Sequence, residues 1–132
     1  MALHSVDTIQ NWHIYLCPRC NASDPPKDKY VVIVCKHDRC AWGFFINSNI
    51  PGFVQNRPQL NVLQVLIRAG DYAFLRYDSH IGCHDLKKFY PVELRTRPLA
   101  PVNAATKALV LAAVARATTI EEDFKRRIAE QS

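Results

Sequence analysis

Four cysteines in the first third of the chain, Cys17-Pro18-Arg19-Cys20 and Cys35-Lys36-His37-Asp38-Arg39-Cys40, constrain its folding more than any other feature. Two short cysteine loops separated by a strand-length stretch can place four thiolates around one Zn²⁺, two from each loop, at ~2.3 Å. The spacing predicts one structural zinc held by Cys17, Cys20, Cys35 and Cys40. His37, with two residues between it and Cys40, competes with Cys35 as a ligand. Two disulfides would use the same four residues, but only in an oxidising compartment. The N-terminus shows no basic region followed by an apolar run. Cys83 brings the cysteines to five, an odd number for a disulfide framework. The chain therefore reads as intracellular.

The flanks of the cysteine loops look like strands. Residues 12–16, 29–34 and 41–46 are rich in β-branched and aromatic side chains, and the stretch 21–28 is turn chemistry. The expected result is a small antiparallel sheet clamped at one end by metal. Arg19, Lys36 and Arg39 lie inside the loops, where their charge would offset the −2 of a tetrathiolate zinc.

Cys17-Pro18-Arg19-Cys20, a β-branched strand into Cys35-x₄-Cys40, and then Trp42, Phe44 and Phe45 resemble the zinc-ribbon superfamily. The C-x₄-C loop followed by aromatics is most similar to the Cys₄ finger of the phage late-gene transcription activators. The resemblance covers residues 14–46, with fourteen residues between the loops. It implies a ribbon fold, a bound zinc and a transcription-type setting.

A chain of 132 residues is long enough to bury a core beyond such a ribbon. We expect an α+β protein: an N-terminal zinc-ribbon module over residues 1–50 and a compact segment over 51–132 that ends in two helices. In the second segment, Arg57 to Gly70 reads as a short helix, with Pro58 in its first turn and Gly70 past its end. Residues 71–77 and 86–94 read as the two strands of a hairpin. Asn103 is placed to cap a helix running to about Ala117, apolar nearly all round. Thr119-Ile120-Glu121-Glu122 fits a capping box that opens a last helix with Ile120, Phe124 and Ile128 along one stripe. The stretch 104–128 is thus a possible dock for a protein partner. No apolar run reaches the eighteen or so residues that span a membrane.

The net charge is +5, with its excess in the middle of the chain. Arg57, Arg68, Arg76, Lys87, Lys88, Arg95 and Arg97 are interleaved there with Tyr72, Phe74, Tyr77, Phe89 and Tyr90. Cations that hold phosphates beside rings that stack bases are how single strands are bound. Arg76, Lys87, Lys88, Phe89, Tyr90, Arg95 and Arg97 are the candidate nucleic-acid surface. The plain alternative is a half-buried sheet with solvated charges. His80, Cys83 and His84 crowd one loop, which reads as a polar turn; a second metal site would need His4 or His13 as a further ligand. No phosphate-binding glycine loop, nucleophile elbow or metalloprotease motif is present. A four-cysteine zinc is coordinatively closed, so a non-enzyme is expected. The sequence points to a zinc-ribbon protein that binds nucleic acid or a nucleic-acid-bound protein complex. The second reading is a zinc-stabilised adaptor subunit docking through its C-terminal helices.

Overall fold

The computed structural model of the chain describes residues 5–132. Strands β1 (His13–Cys20), β2 (Lys27–His37) and β3 (Cys40–Asn47) form an antiparallel meander. Val31-Val32-Ile33-Val34 makes β2 its centre. Val31 and Ile33 enter one apolar cluster, Val32 and Val34 the other, so both faces of β2 are covered. A strand buried on both faces reads as a continuous apolar run rather than an alternation. Asp38 and Arg39, with φ of 54° and 62°, make the two-residue turn between β2 and β3. Such a pair of left-handed residues matches the twist of a hairpin. At Gly43 the strands come so close that a Cβ would lie 2.1 Å from the Val32 carbonyl oxygen.

The chain beyond residue 50 completes the same sheet. After two single-turn helices, α1 (Gly52–Gln55) and α2 (Pro58–Asn61), strand β4 (Gln64–Ile67) pairs with β5 (Ser79–Gly82). β5 joins β3 at Ile46 and Asn47, and β6 (Lys87–Phe89) joins the same strand lower down, at Ala41 to Gly43. β7 (Ala100–Pro101) closes on β1. The order is β4-β5-β3-β2-β1-β7, with β6 branching from β3. Helices α3 (Ala104–Arg116) and α4 (Glu122–Glu130) follow. They cover one face, where Val110, Val114 and Ile128 meet Ile14, Val32, Phe44 and Ile81. The opposite face holds a smaller core of Tyr15, Val31, Ile33, Phe89 and Leu94.

Local chemistry sets the helix ends. The Asn103 side chain accepts from Thr106 N at 2.8 Å and starts α3. Thr119 does not cap α4, which makes no side-chain cap; its hydroxyl donates to the His84 carbonyl oxygen at 2.6 Å. Phe124 packs on Trp42, with ring centroids 4.3 Å apart. Gln131 fastens the end of the chain to β2, accepting from Lys36 N at 2.8 Å and donating to Lys36 O at 3.0 Å.

The zinc ribbon expected at residues 1–50 is not formed, and the fold class is corrected to a mostly antiparallel, curled seven-stranded sheet with a few helices. In a meander successive turns fall at opposite ends of the sheet. Cys17 pairs with Lys29 near the start of β2, and Cys35 lies six residues further along it. At ~3.3 Å per residue that is roughly 20 Å. The pairs also face apart, since Cys17 and Cys20 sit in the smaller core and Cys35 in the larger. Cys35-x₄-Cys40 is a tight hairpin, with His37 opposite Cys40, and not a metal knuckle. Among the described residues no group of three or more His, Cys, Asp and Glu is placed to hold a metal ion. This removes the four-cysteine zinc and His37 as its substitute ligand. His4 lies outside the described residues.

Two other elements differ from expectation. The helix over Arg57 to Gly70 stops at Asn61 and becomes β4, because Leu63, Val65 and Ile67 alternate inward while Leu66 is exposed. A period of two outweighs the helical spacing there. Residues 71–77 form no strand, running from the end of a 3-10 turn into irregular chain, and β6 pairs with β3 and not with them. Among the described residues no helix is long and apolar enough to cross a membrane.

Candidate functional site

A cleft of about 280 Å³ opens at the end of the sheet where β2 begins and β3 finishes. Lys27, Lys29, Lys87, His84, Phe45 and Phe53 line it. The sequence Lys27-Asp28-Lys29 enters β2 as alternating residues, so both lysines share one side of the strand. Asp28 turns elsewhere, its carboxylate accepting from Arg19 N at 2.8 Å. Lys29 Nζ donates to Asn47 Oδ1 at 2.6 Å and stands 4.9 Å from the centre of the Phe45 ring. Lys87, at the start of β6, places its Nζ 5.1 Å from the same ring and 2.8 Å from an Asp85 carboxylate oxygen. Phe45 is therefore gripped by two ammonium groups, each attracted to the ring quadrupole.

Burial and like charge act together here. Lys29 has its pKa lowered, first by burial and then by the nearby Lys27 and Lys87. His84 has its pKa lowered by burial, with Lys87 pushing the same way and Asp85 opposing. Burial thus favours the uncharged imidazole, and the crowded Lys29 ammonium lines the same cleft. A bound anion would relieve the repulsion among the lysines. Phe53 is 57% exposed and meets His84 edge-on at 6.3 Å, leaving a ring face for a flat ligand.

The residues singled out from sequence are dispersed. Of the candidate nucleic-acid surface, Lys87 alone lines the cleft. Lys88 sits over the Tyr90 ring at 5.3 Å, and Arg76, Arg95 and Arg97 are exposed elsewhere. Phe89 is fully buried, so no base can stack on it. Of His80, on β5, and Cys83 and His84 just beyond it, His84 reaches the cleft. Cys83 is a core thiol whose pKa burial pushes up to about 12. Burial likewise raises Cys17, and it raises Cys35 to about 11, so neither is a ready nucleophile. Lys27, Lys29 and Asn47 went unread. The one local signal for them was the Lys-Asp-Lys alternation at a strand start.

No family model matches the chain, and no curated protein matches it. Among solved structures its fold is similar to that of the Mycobacterium tuberculosis toxin MazF-mt6. The TM-score is 0.60 at 16% sequence identity, over 83% of this chain and 98% of that one. This likeness overturns the resemblance to zinc ribbons. With it go the zinc and transcription-regulator readings and the zinc-clipped adaptor. The expectation of a non-enzyme is corrected too, since it leaned on a closed zinc site that does not form.

Proposed function

We propose that the cleft binds single-stranded RNA and cleaves its backbone, as a toxin-type ribonuclease. One observation carries this reading: three lysines and a histidine line the same cleft as two phenylalanine rings, on a fold similar to that of a toxin. Lys27, Lys29 and Lys87 suit a phosphodiester and its neighbour, and Phe53 suits a base. RNA is favoured over DNA by the chemistry. Its 2′-hydroxyl lies next to the phosphorus and can attack it, giving its proton to solvent, while the P–O5′ bond breaks and the 5′-oxygen of the next nucleotide takes up a proton, leaving a 2′,3′-cyclic phosphate. The protein's part is then to hold the phosphate in line and offset charge growing on its oxygens. Lys29 is the residue best placed for that, because Asn47 fixes its ammonium and burial strengthens its field.

The test compares one single-stranded sequence as RNA and as all-2′-deoxy DNA. Cleavage of the RNA alone, to products ending in a cyclic phosphate, is expected. Lys29→Ala should lower kcat about 10²–10³-fold, as losing one charge-stabilising donor usually does. Absence of both cleavage and salt-dependent RNA binding overturns the reading.

A further inference from the structure

Gln64 lies on β4 opposite Gly82, the last residue of β5, at the back of the loop that carries His84. Its amide nitrogen makes two contacts, 3.1 Å to the Leu60 carbonyl oxygen and 2.9 Å to His84 Nδ1. A carbonyl oxygen only accepts, so the group facing Leu60 must be the NH₂. The same NH₂ then has its second hydrogen for His84, and Nδ1 must accept it. A flipped amide would set oxygen against oxygen at Leu60. The orientation holds although it leaves Gln64 Oε1 buried without a partner, which ordinarily costs ~1–3 kcal/mol. Gly82 makes the approach possible. A Cβ there would lie 3.2 Å from His84 Cε1, tighter than nine in ten real contacts, and 3.4 Å from Nδ1, so the ring would have to give by a few tenths of an ångström.

We infer that Gln64 is a positioning residue that fixes His84 in the tautomer carrying its proton on Nε2. The imidazole thereby meets a phosphate oxygen as a donor and not as a base. The inference rests on the reading of the cleft as an RNA site and deepens it. The ring is surrounded by groups that leave this state in place. Asp85 and Lys87 flank it with opposite charge. Phe53 covers one edge. Lys27, Lys29 and Asp24 line the same cleft. Thr119 bonds the backbone oxygen of His84 and not its ring. A second proton would have to enter at Nδ1, where it would face the Gln64 N–H.

Two-bond ¹H–¹⁵N correlation of the histidine rings in the full chain reads the tautomer without any substrate. His84, assigned from the peak lost in His84→Gln, is expected to show a protonated Nε2 and a bare Nδ1. In Gln64→Glu a carboxylate accepts from Nδ1–H, so the pattern should invert or become that of the imidazolium. In Gln64→Leu the two tautomers should mix. Where Gln64→Glu inverts the tautomer, RNA cleavage should lose kcat by about a hundredfold or more with KM nearly unchanged; where it gives the imidazolium, Nε2 still donates and kcat should be kept. A protonated Nδ1 in the unsubstituted protein overturns the inference, as does a pattern indifferent to both substitutions. If the tautomer behaves as stated but the unsubstituted protein cuts no RNA, the RNA reading fails and the lock stands. If RNA is cut while the tautomer is the other one, the lock fails and the RNA reading stands.

Discussion

The two faces of the sheet are made from alternate residues of the same strands, and they are finished differently. On one face Val32, Val34, Phe44 and Ile46 are roofed by α3 and α4, and Val110 and Ile128 are fully buried. On the other, Val31 and Ile33 lie under a lid of Tyr15, Phe89 and Leu94. Towards the start of β2 that second face runs out into Lys29 and Lys27, beside the half-buried Phe45. The roofed face contributes stability. The open end holds ammonium groups against one another, which costs stability and leaves a place for an anion. The same period-two chain serves both ends, since only the residue types along one side of β2 change.

The sharpest way to break this contrast is to damage the roof alone. Ile128→Ala should cost about 2–5 kcal/mol, the usual range for an isoleucine truncated in a core. The loss should show as a lower urea midpoint while the folded fraction keeps its RNA affinity. Gly43→Ala strikes the seam common to both faces. With the Val32 carbonyl in the way, it should cost about 3 kcal/mol and lower the midpoint and RNA cleavage together.

Lys29→Met should do the reverse of Ile128→Ala. The folded pKa of Lys29 is lowered, so the folded state pays a penalty wherever the ammonium is charged, which includes neutral pH. Replacing it should raise the thermal midpoint at pH 7 and lower cleavage about 10²–10³-fold, as for Lys29→Ala. It should also reduce the salt slope of RNA binding by about 0.7, one phosphate contact on a single strand. A midpoint that falls would show that the lysine stabilises the sheet end it occupies.

A smaller effect separates the two ends by pH. His84 has a lowered folded pKa, so the unfolded chain binds the proton first. Its contribution is intact above an unfolded pKa of about 6.5 and is lost as pH falls through that value toward the folded one. The urea midpoint of His84→Gln should vary less with pH than that of the parent in this window. Least of all, Leu109→Ser on the exposed side of α3 should shift stability by no more than about 0.5 kcal/mol.

What could be read from the sequence follows the distance over which each signal acts. The strand cores at 29–34 and 41–46 are present and lengthened, and that at 12–16 begins at His13, after Trp12 in the turn, and runs on to Cys20. The Asn103 cap opens a helix that runs to Arg116. These depend on neighbours within one element. The cysteine spacing failed because a spacing fixes separation along the chain and not which end of a meander each turn will occupy. The stretch 57–70 failed because Leu60, Leu63, Leu66 and Ile67 fit a helix as well as Leu63, Val65 and Ile67 fit a strand. Pairing with β5 decides between them. The cleft needed more still. Lys29, Asn47, His84 and Lys87 meet only because β3 pairs with β2 along one edge and with β5 and β6 along the other. No local pattern announces contacts between residues on separate strands, from 18 positions apart for Lys29 and Asn47 upward.

The two-residue turn at Asp38 and Arg39 sits at the end of β2 remote from the lysines, and both residues are exposed. It is therefore a natural handle. A fluorophore attached there, or a peptide epitope spliced between these two residues, would report on the molecule or tether it to a surface while the opposite mouth stays free to take up a strand.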